Sequence, residues 1–383
     1  MVCLSPMAST ERDQPKTFTF RELTVWTSKL PDVSFGVLPP SNTRPNPLAT
    51  EDLVYASVFA PGAICALERD GGTLIWRREL HRYANASVHL HDGKLFAKTC
   101  NTLFALQPDS GEILWSFCPY GTEGEWIYSS PSAYEDRVYI GDRRGWLHCL
   151  DGESGRTIWR RHTNRARNCD VNSTPVLIDG LAIVSTNAKS VVAYDAQSGR
   201  LAWKQKLDGP STFGPLVHRN SVLTVSDSLC LLNPGTGEVE QLYSWKKEKV
   251  YRAETTPRTI VLTFWPKWAS CGNPPPNESD TNKITILITK SGVQRTTTFV
   301  AFCHQFRYIP ATALLYLSHA EGIDLIHPED GRVLCQLKTT DDTRGGLALV
   351  DVRDGLIYAL SGDGSVYALR HPLSAANDRR RSS

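Results

Sequence analysis

The chain has only two methionines in 383 residues, and no apolar run approaches the roughly 20 residues that cross a bilayer, so no membrane span is expected. Net charge is nearly absent. With 42 Lys+Arg against 40 Asp+Glu the formal balance is +2, which argues against a dedicated nucleic-acid protein and its clear basic excess. The opening residues MVCLSPMASTERDQPK lack a basic segment followed by an apolar core, so no secretory leader is visible and the expected location is cytoplasmic. No C-x-x-C occurs, and no close cysteine pair is followed by paired histidines, so no metal site is expected. Ten cysteines are also too few for a disulfide scaffold of this length. Cys65 in AICAL, Cys149 in WLHCL and Cys230 in SLCLL read instead as buried reduced thiols. Helical periodicity is missing over any useful length. So are G-x-S-x-G, H-E-x-x-H and the phosphate loop G-x-x-x-x-G-K-[ST], while SGDGS at 361–365 reads as a strand turn because no helix follows.

What is present is a repeat. GGTLIW ends at Trp76, SGEILW at Trp115, SGRTIW at Trp159 and SGRLAW at Trp203, with Gly72, Gly111, Gly155 and Gly199 four residues earlier. An apolar residue closing a short strand precedes each glycine by five: Leu67, Leu106, Leu150 and Tyr194. Weaker copies place the same anchor at Leu232, Leu287, Ile326 and Leu369. The mean spacing is about 43 residues, and the one long interval holds GNPPPNESD, which reads as a surface insertion. Within a repeat, Asp-Gly, Arg-Arg-Gly and Glu-Ser-Gly separate four short apolar strands.

Short antiparallel sheets at this period read as an all-β, eight-bladed β-propeller of four-stranded antiparallel blades. The last repeat lacks its fourth strand, and ELTVWTSKL places Trp26 in the pattern of LIWRREL, so residues around 22–28 are expected to supply that outer strand and close the ring. The organisation expected is a disordered segment at 1–19, one monomeric propeller domain at 20–371 and a disordered basic tail at 372–383.

YDAQSGRLAW at 194–203, LDGESGRTIW at 150–159 and LQPDSGEILW at 106–115 resemble the tryptophan-docking motif of the pyrroloquinoline-quinone-type repeat superfamily. The resemblance covers residues 20–370 and implies that the tryptophan of one outer strand stacks on the neighbouring blade. That assigns structural roles to Trp26, Trp76, Trp115, Trp159, Trp203, Gly72, Gly111, Gly155 and Gly199. Function does not follow from such a scaffold. The quinoprotein dehydrogenases of the superfamily use adjacent cysteines and an acidic calcium site, and this sequence has no adjacent cysteines. The outer-membrane assembly lipoprotein of bacteria resembles this chain in size and blade number, but Cys3 lacks the lipidation signal.

The loops joining one repeat to the next are expected to converge on a polar funnel. Its candidates are Arg82, Trp126, Tyr128, Arg167, Asp170, Asn172, Arg252, Glu254 and Arg344, with arginine suited to carboxylate or phosphate. The bland reading is that these loops are simply polar and pair among themselves. No cofactor is expected. Three functions stay open: a binding or protein-interaction scaffold with a protein partner or small anionic ligand; a lyase, isomerase or hydrolase in the funnel; or quinone-dependent oxidation.

Overall fold

The computed structural model describes residues 14–31, 46–58, 62–80, 88–120, 127, 129–164, 170–171, 173–211, 214–244, 250–264, 282–288, 293–299, 303–319, 321–339 and 347–374. Strands dominate. They form seven four-stranded sheets and one five-stranded sheet, the all-β arrangement of a β-propeller. The first sheet comprises Leu48–Ala49, Leu53–Val58, Ala63–Glu68 and Leu74–Glu79. The second runs His89–His91, Lys94–Lys98, Leu103–Leu106 and Ile113–Phe117, and the third Ser132–Tyr134, Arg137–Gly141, Trp146–Asp151 and Thr157–His162. Val176–Ile178, Leu181–Thr186, Ser190–Asp195 and Leu201–Lys206 make the fourth. The fifth follows with Leu216–His218, Ser221–Val225, Ser228–Leu232 and Val239–Ser244. Val250–Thr255, Thr259–Phe264, Asn282–Ile288 and Val293–Phe299 form the sixth, with the proline-rich insertion between its second and third strands. The seventh contains Cys303–Ile309, Leu314–His319, Gly322–Ile326 and Val333–Lys338. Leu347–Arg353, Leu356–Ser361 and Ser365–Arg370 begin the eighth.

Turn chemistry explains the hairpins. Asp92-Gly93, Asp179-Gly180 and Asp354-Gly355 all sit at positive φ between first and second strands, where a two-residue turn must match strand twist. All eight repeat anchors lie in third strands. The first five Trp slots then fall in register: Trp26 opposite Ala368, Trp76 opposite Ala66, Trp115 opposite Ala105, Trp159 opposite Cys149 and Trp203 opposite Ala193. Each indole donates its N–H to a carbonyl in the third-to-fourth turn of the next sheet. The acceptors are Arg69 at 2.8 Å, Pro108 at 2.8 Å, Gly152 at 3.1 Å, Ala196 at 3.1 Å and Pro234 at 2.7 Å.

The remaining slots hold Gln241, Arg295 and Cys335, opposite Leu231, Ile286 and Leu325. Apolar clusters lie between sheets adjacent in chain order, as where Cys149 and Trp159 meet Val184 and Tyr194. Tyr358, Leu360 and Val366 of the eighth sheet likewise pack on Ala49, Val54 and Cys65 of the first. Cys65, Cys149, Cys230 and Cys335 are free and buried, as expected of small apolar fillers.

The N-terminal segment supplies the eighth sheet's outer strand, Thr24–Lys29, antiparallel to Ser365–Arg370. One expectation is corrected. Within the stretch 1–19 expected to be disordered, Lys16–Thr19 forms a fifth strand of the seventh sheet, parallel to Val333–Lys338. A single helical turn, Phe20–Leu23, joins the two strands, and a capping box between Thr19 and Glu22 starts it. Its Phe20 and Leu23 are buried against Tyr316, Leu337, Tyr367 and Leu369.

Candidate functional site

In an up-and-down sheet, the turn from second to third strand lies at the same end as the exit of the fourth. On the third sheet this end carries a buried polar cluster. Asp142, its side chain 1% exposed, follows the second strand, and His148 Nε2 lies 2.7 Å from its Oδ2. The Tyr120 hydroxyl donates to the same oxygen. Oδ1 accepts the backbone N–H of Arg144 at 2.9 Å and of Trp146 at 3.0 Å. Burial opposes ionisation of Asp142. The hydrogen bonds from His148 and Tyr120, the charge of His148 and the Trp146 N–H outweigh it and hold the carboxyl below its ordinary range. The ring of Phe117 meets His148 edge-on at 5.3 Å, and the Arg144 guanidinium lies 4.1 Å over the Tyr120 ring.

Neighbouring sheets repeat the idea with different atoms. Ser129 and Ser173 each bridge the N–H and C=O of a second-strand residue, Gly141 and Ser185 respectively. Lys98 holds the place of Gly141 in the second sheet, 1% exposed, and its ammonium donates to the Ile127 carbonyl at 2.6 Å. Asp208 accepts from Ser226 and Ser228 beside the fifth sheet, and Asp170 from the Asn187 amide at 3.4 Å beside the fourth. These carboxylates tie turns together.

Burial lowers the Lys98 ammonium to about 7, against a smaller opposing effect of Cys100. From about pH 7 up to the ordinary lysine range the unfolded chain holds a proton that the folded chain does not. Stability therefore rises with pH across that window and is lowest below it. The wild-type melting temperature is expected to rise between pH 7 and pH 9. Lys98→Met, of similar shape, should melt higher at pH 7, by ~2–4 °C for each kcal/mol recovered, and should lose that rise. Parallel pH profiles for the two proteins would contradict this.

Of the residues expected in the funnel, Arg82, Trp126, Tyr128, Arg167, Asn172 and Arg344 lie outside the described residues. Asp170 precedes the fourth sheet, whereas Arg252 and Glu254 sit in the inner strand of the sixth, opposite Thr263 and Val261. Asp170 and Glu254 therefore come from different repeats, and Asp170 is engaged with Asn187. The sequence reading missed Lys98, Tyr120 and Asp142. Lys98 had one readable mark: by strand alternation it shares the face of Phe96 in KLFAK. At the opposite end of the molecule a cleft of about 140 Å³ between the second and third sheets is lined by His91, Asp92, Lys94, Glu135 and Glu153. Lys94 and Glu153 pair there at 2.6 Å. Among the described residues no group of three or more His, Cys, Asp or Glu is placed to hold a metal ion, and no helix is long and apolar enough to cross a membrane.

The sequence profile described as outer membrane protein assembly factor BamB matches residues 23–243. The BamB of Legionella pneumophila is 28% identical over 141 residues, 35% of this chain and 35% of that protein. Quinohemoprotein alcohol dehydrogenase ADH IIB of Pseudomonas putida is 28% identical over 148 residues, 34% of this chain and 21% of that enzyme. The matches thus span well under half of these relatives. The solved structure of quinohemoprotein alcohol dehydrogenase ADHIIG from P. putida superposes with a TM-score of 0.68 at 12% identity, over 94% of this chain and 78% of that one, which concerns the fold alone. The cytoplasmic location expected from the N-terminal residues is overturned, because the relatives include assembly factors of the outer membrane. With more than half of its length matched by the profile, the chain belongs to the family of the outer membrane protein assembly factor BamB.

Proposed function

We propose that the eight sheets are the blades of a closed propeller, and that the end bearing the Asp142 cluster and the inter-sheet loops is a non-catalytic surface for binding another protein. The observation that carries this reading is family membership over residues 23–243. The polar groups of that end support it, since Asp142 and Asp208 accept hydrogen bonds that build turns. Closure is supported by apolar clusters between successive sheets and by the packing of the eighth sheet on the first. On this reading the arginines of the connecting segments, Arg82, Arg167 and Arg344, meet carboxylates of the partner.

A photoreactive residue in place of Asn187, half-buried beside Asp170, tests the reading. The expected result is a covalent adduct with a second protein in the native host. Purified protein given pyrroloquinoline quinone, calcium and a primary alcohol should reduce no dye. Alcohol-dependent dye reduction without an adduct would replace the scaffold with an oxidoreductase.

A further inference from the structure

The inner strands of the sheets share one register. Arg307 stands opposite Tyr316, Asp351 opposite Tyr358, His89 opposite Phe96 and Glu254 opposite Val261. Each of these second-strand partners is buried against the next sheet in order: Val261 against the seventh, Tyr316 the eighth, Tyr358 the first and Phe96 the third. Residues directly opposed in an antiparallel pair share a face, so the four polar groups point the same way round at one level. The first, fourth and fifth sheets place Leu48, Val176 and Leu216 at that level. None of these inner-strand residues is buried, although their partners are. On the closed-ring reading they line the central channel, the concave surface that inner strands have in common.

Two of the groups hold unused hydrogen-bonding capacity side by side. Asp351 Oδ2 accepts the Ala49 N–H at 2.8 Å, which fixes the carboxylate between the eighth and first sheets. Its Oδ1 lies 3.7 Å from Arg307 Nη1, too far for a hydrogen bond. Among the described residues no donor bonds that oxygen and no acceptor takes an N–H of Arg307. The Arg307 and Asp351 side chains are 36% and 15% exposed, so fork and oxygen both meet solvent. His89 is exposed too. Enclosure and then the charge of Arg307 hold its imidazole below the ordinary range, so a neutral ring stands within electrostatic reach of the guanidinium. Between Asp351 and His89 in sheet order, Leu48 faces the second sheet, and Leu90, 43% exposed, faces the first.

A plain carboxylate on Arg307 would meet Asp351 and Glu254 as like charges, and a plain amine on Asp351 would meet Arg307. A molecule carrying both signs satisfies the fork and the oxygen together. We propose that the channel binds a free α-amino acid with an aliphatic side chain: carboxylate on Arg307 and His89, ammonium on Asp351 Oδ1, side chain against Leu48 and Leu90. The inference rests on the closed ring and adds a small-molecule occupant to the scaffold.

The test is calorimetric titration of the full chain with L-leucine, L-isoleucine and L-valine. Wild type is expected to bind at least one of them and to shift the His89 ring signals in NMR spectra on saturation. For leucine, 4-methylpentanoate and isoamylamine, which lack the ammonium and the carboxylate respectively, should bind roughly tenfold or more weakly. Arg307→Gln and Asp351→Asn should each lose roughly tenfold in affinity. Asparagine keeps an oxygen for the Ala49 N–H, so the ligand-free melting temperature should stay within a degree or two. Either analogue binding as tightly as the amino acid, or both variants binding it as wild type does, overturns the proposal. Hydrogen exchange at the Ala49 amide checks the ring separately. Fast exchange there would defeat the closed ring and the proposal with it. Slow exchange with no binding of the three amino acids would defeat the channel site and leave the closed scaffold standing.

Discussion

Gly199→Val is expected to lower the melting temperature by roughly 8–15 °C. Two independent costs combine at that position. Gly199 has φ +67°, a conformation that costs an ordinary residue about 1–2 kcal/mol and a β-branched one more. A side chain there also meets the indole of Trp159, since a Cβ would lie 2.7 Å from its Cδ2, and forced overpacking adds ~1–3 kcal/mol. The ring has nowhere to go. It lies between Tyr139 and Tyr194, at 5.9 and 6.3 Å, and its N–H is held by Ala196. Trp159→Ala empties the same space and should cost ~3–5 kcal/mol.

The combination of Trp159→Ala with Gly199→Ala separates fit from strain. Removing the indole relieves the clash but not the backbone conformation, so the double variant should be less destabilised than the sum of the singles by at least ~1 kcal/mol. Additive losses in urea denaturation would mean that the glycine serves the turn alone.

That pair of residues was readable without a structure. A glycine four residues before a tryptophan, recurring about every 43 residues, marks the repeat, and the resemblance to the pyrroloquinoline-quinone-type repeat implies that each ring lies on the neighbouring sheet. Trp26 extended the reading to the N-terminus for the same reason. Other features left no such trace. Tyr120, Asp142 and His148 are 22 and 6 residues apart, and no spacing rule joins a turn aspartate to a tyrosine at the end of another sheet. His148 was legible only as a residue alternating into a strand. Lys98 in KLFAK reads as a strand terminus, because local pattern does not reveal that the Ile127 carbonyl takes its ammonium. Parallel pairing is the least visible of all. KTFT is four residues long, forms no hairpin, and meets Val333–Lys338 from more than 300 residues away.

Deleting residues 1–23 while keeping Thr24–Lys29 should loosen the seventh and eighth sheets from each other and leave the other sheets closely packed. The interfaces from the eighth sheet through the fifth are each fastened by a tryptophan, but the slot facing the eighth sheet holds Cys335, which is too small to reach a turn on its neighbour. The segment Lys16–Leu23 makes up the difference. Its strand covers the outer edge of the seventh sheet, with Lys16 opposite Cys335 and Phe18 opposite Leu337. Its helical turn drives Phe20, 3% exposed, into an edge contact at 5.3 Å with Tyr367 of the eighth. Leu23 follows into the same cluster, and the Thr24 hydroxyl closes the turn on the Phe20 carbonyl at 2.7 Å.

Burial of two such side chains contributes ~1.5–3 kcal/mol each, so the truncation should cost roughly 3–6 kcal/mol before the strand's own hydrogen bonds are counted. Phe20→Ala with Leu23→Ala should show most of that loss in the full-length chain. Hydrogen exchange distinguishes a local fastening from general instability. Protection should fall first in Val333–Lys338 and Ser365–Arg370, whereas Leu181–Thr186, between tryptophan-fastened interfaces, keeps its slow exchange. Uniform loss of protection across all sheets, or a truncated chain that melts with the wild type, would rule the segment out as the fastening of that interface. Extending the deletion through Leu30 should be far worse. It strips the outer strand of the eighth sheet together with Trp26, whose N–H and ring hold the first sheet at Arg69 and Gly72. It would also bare a row of unpaired backbone groups on Ser365–Arg370, so aggregation rather than a lowered melting point is the expected readout.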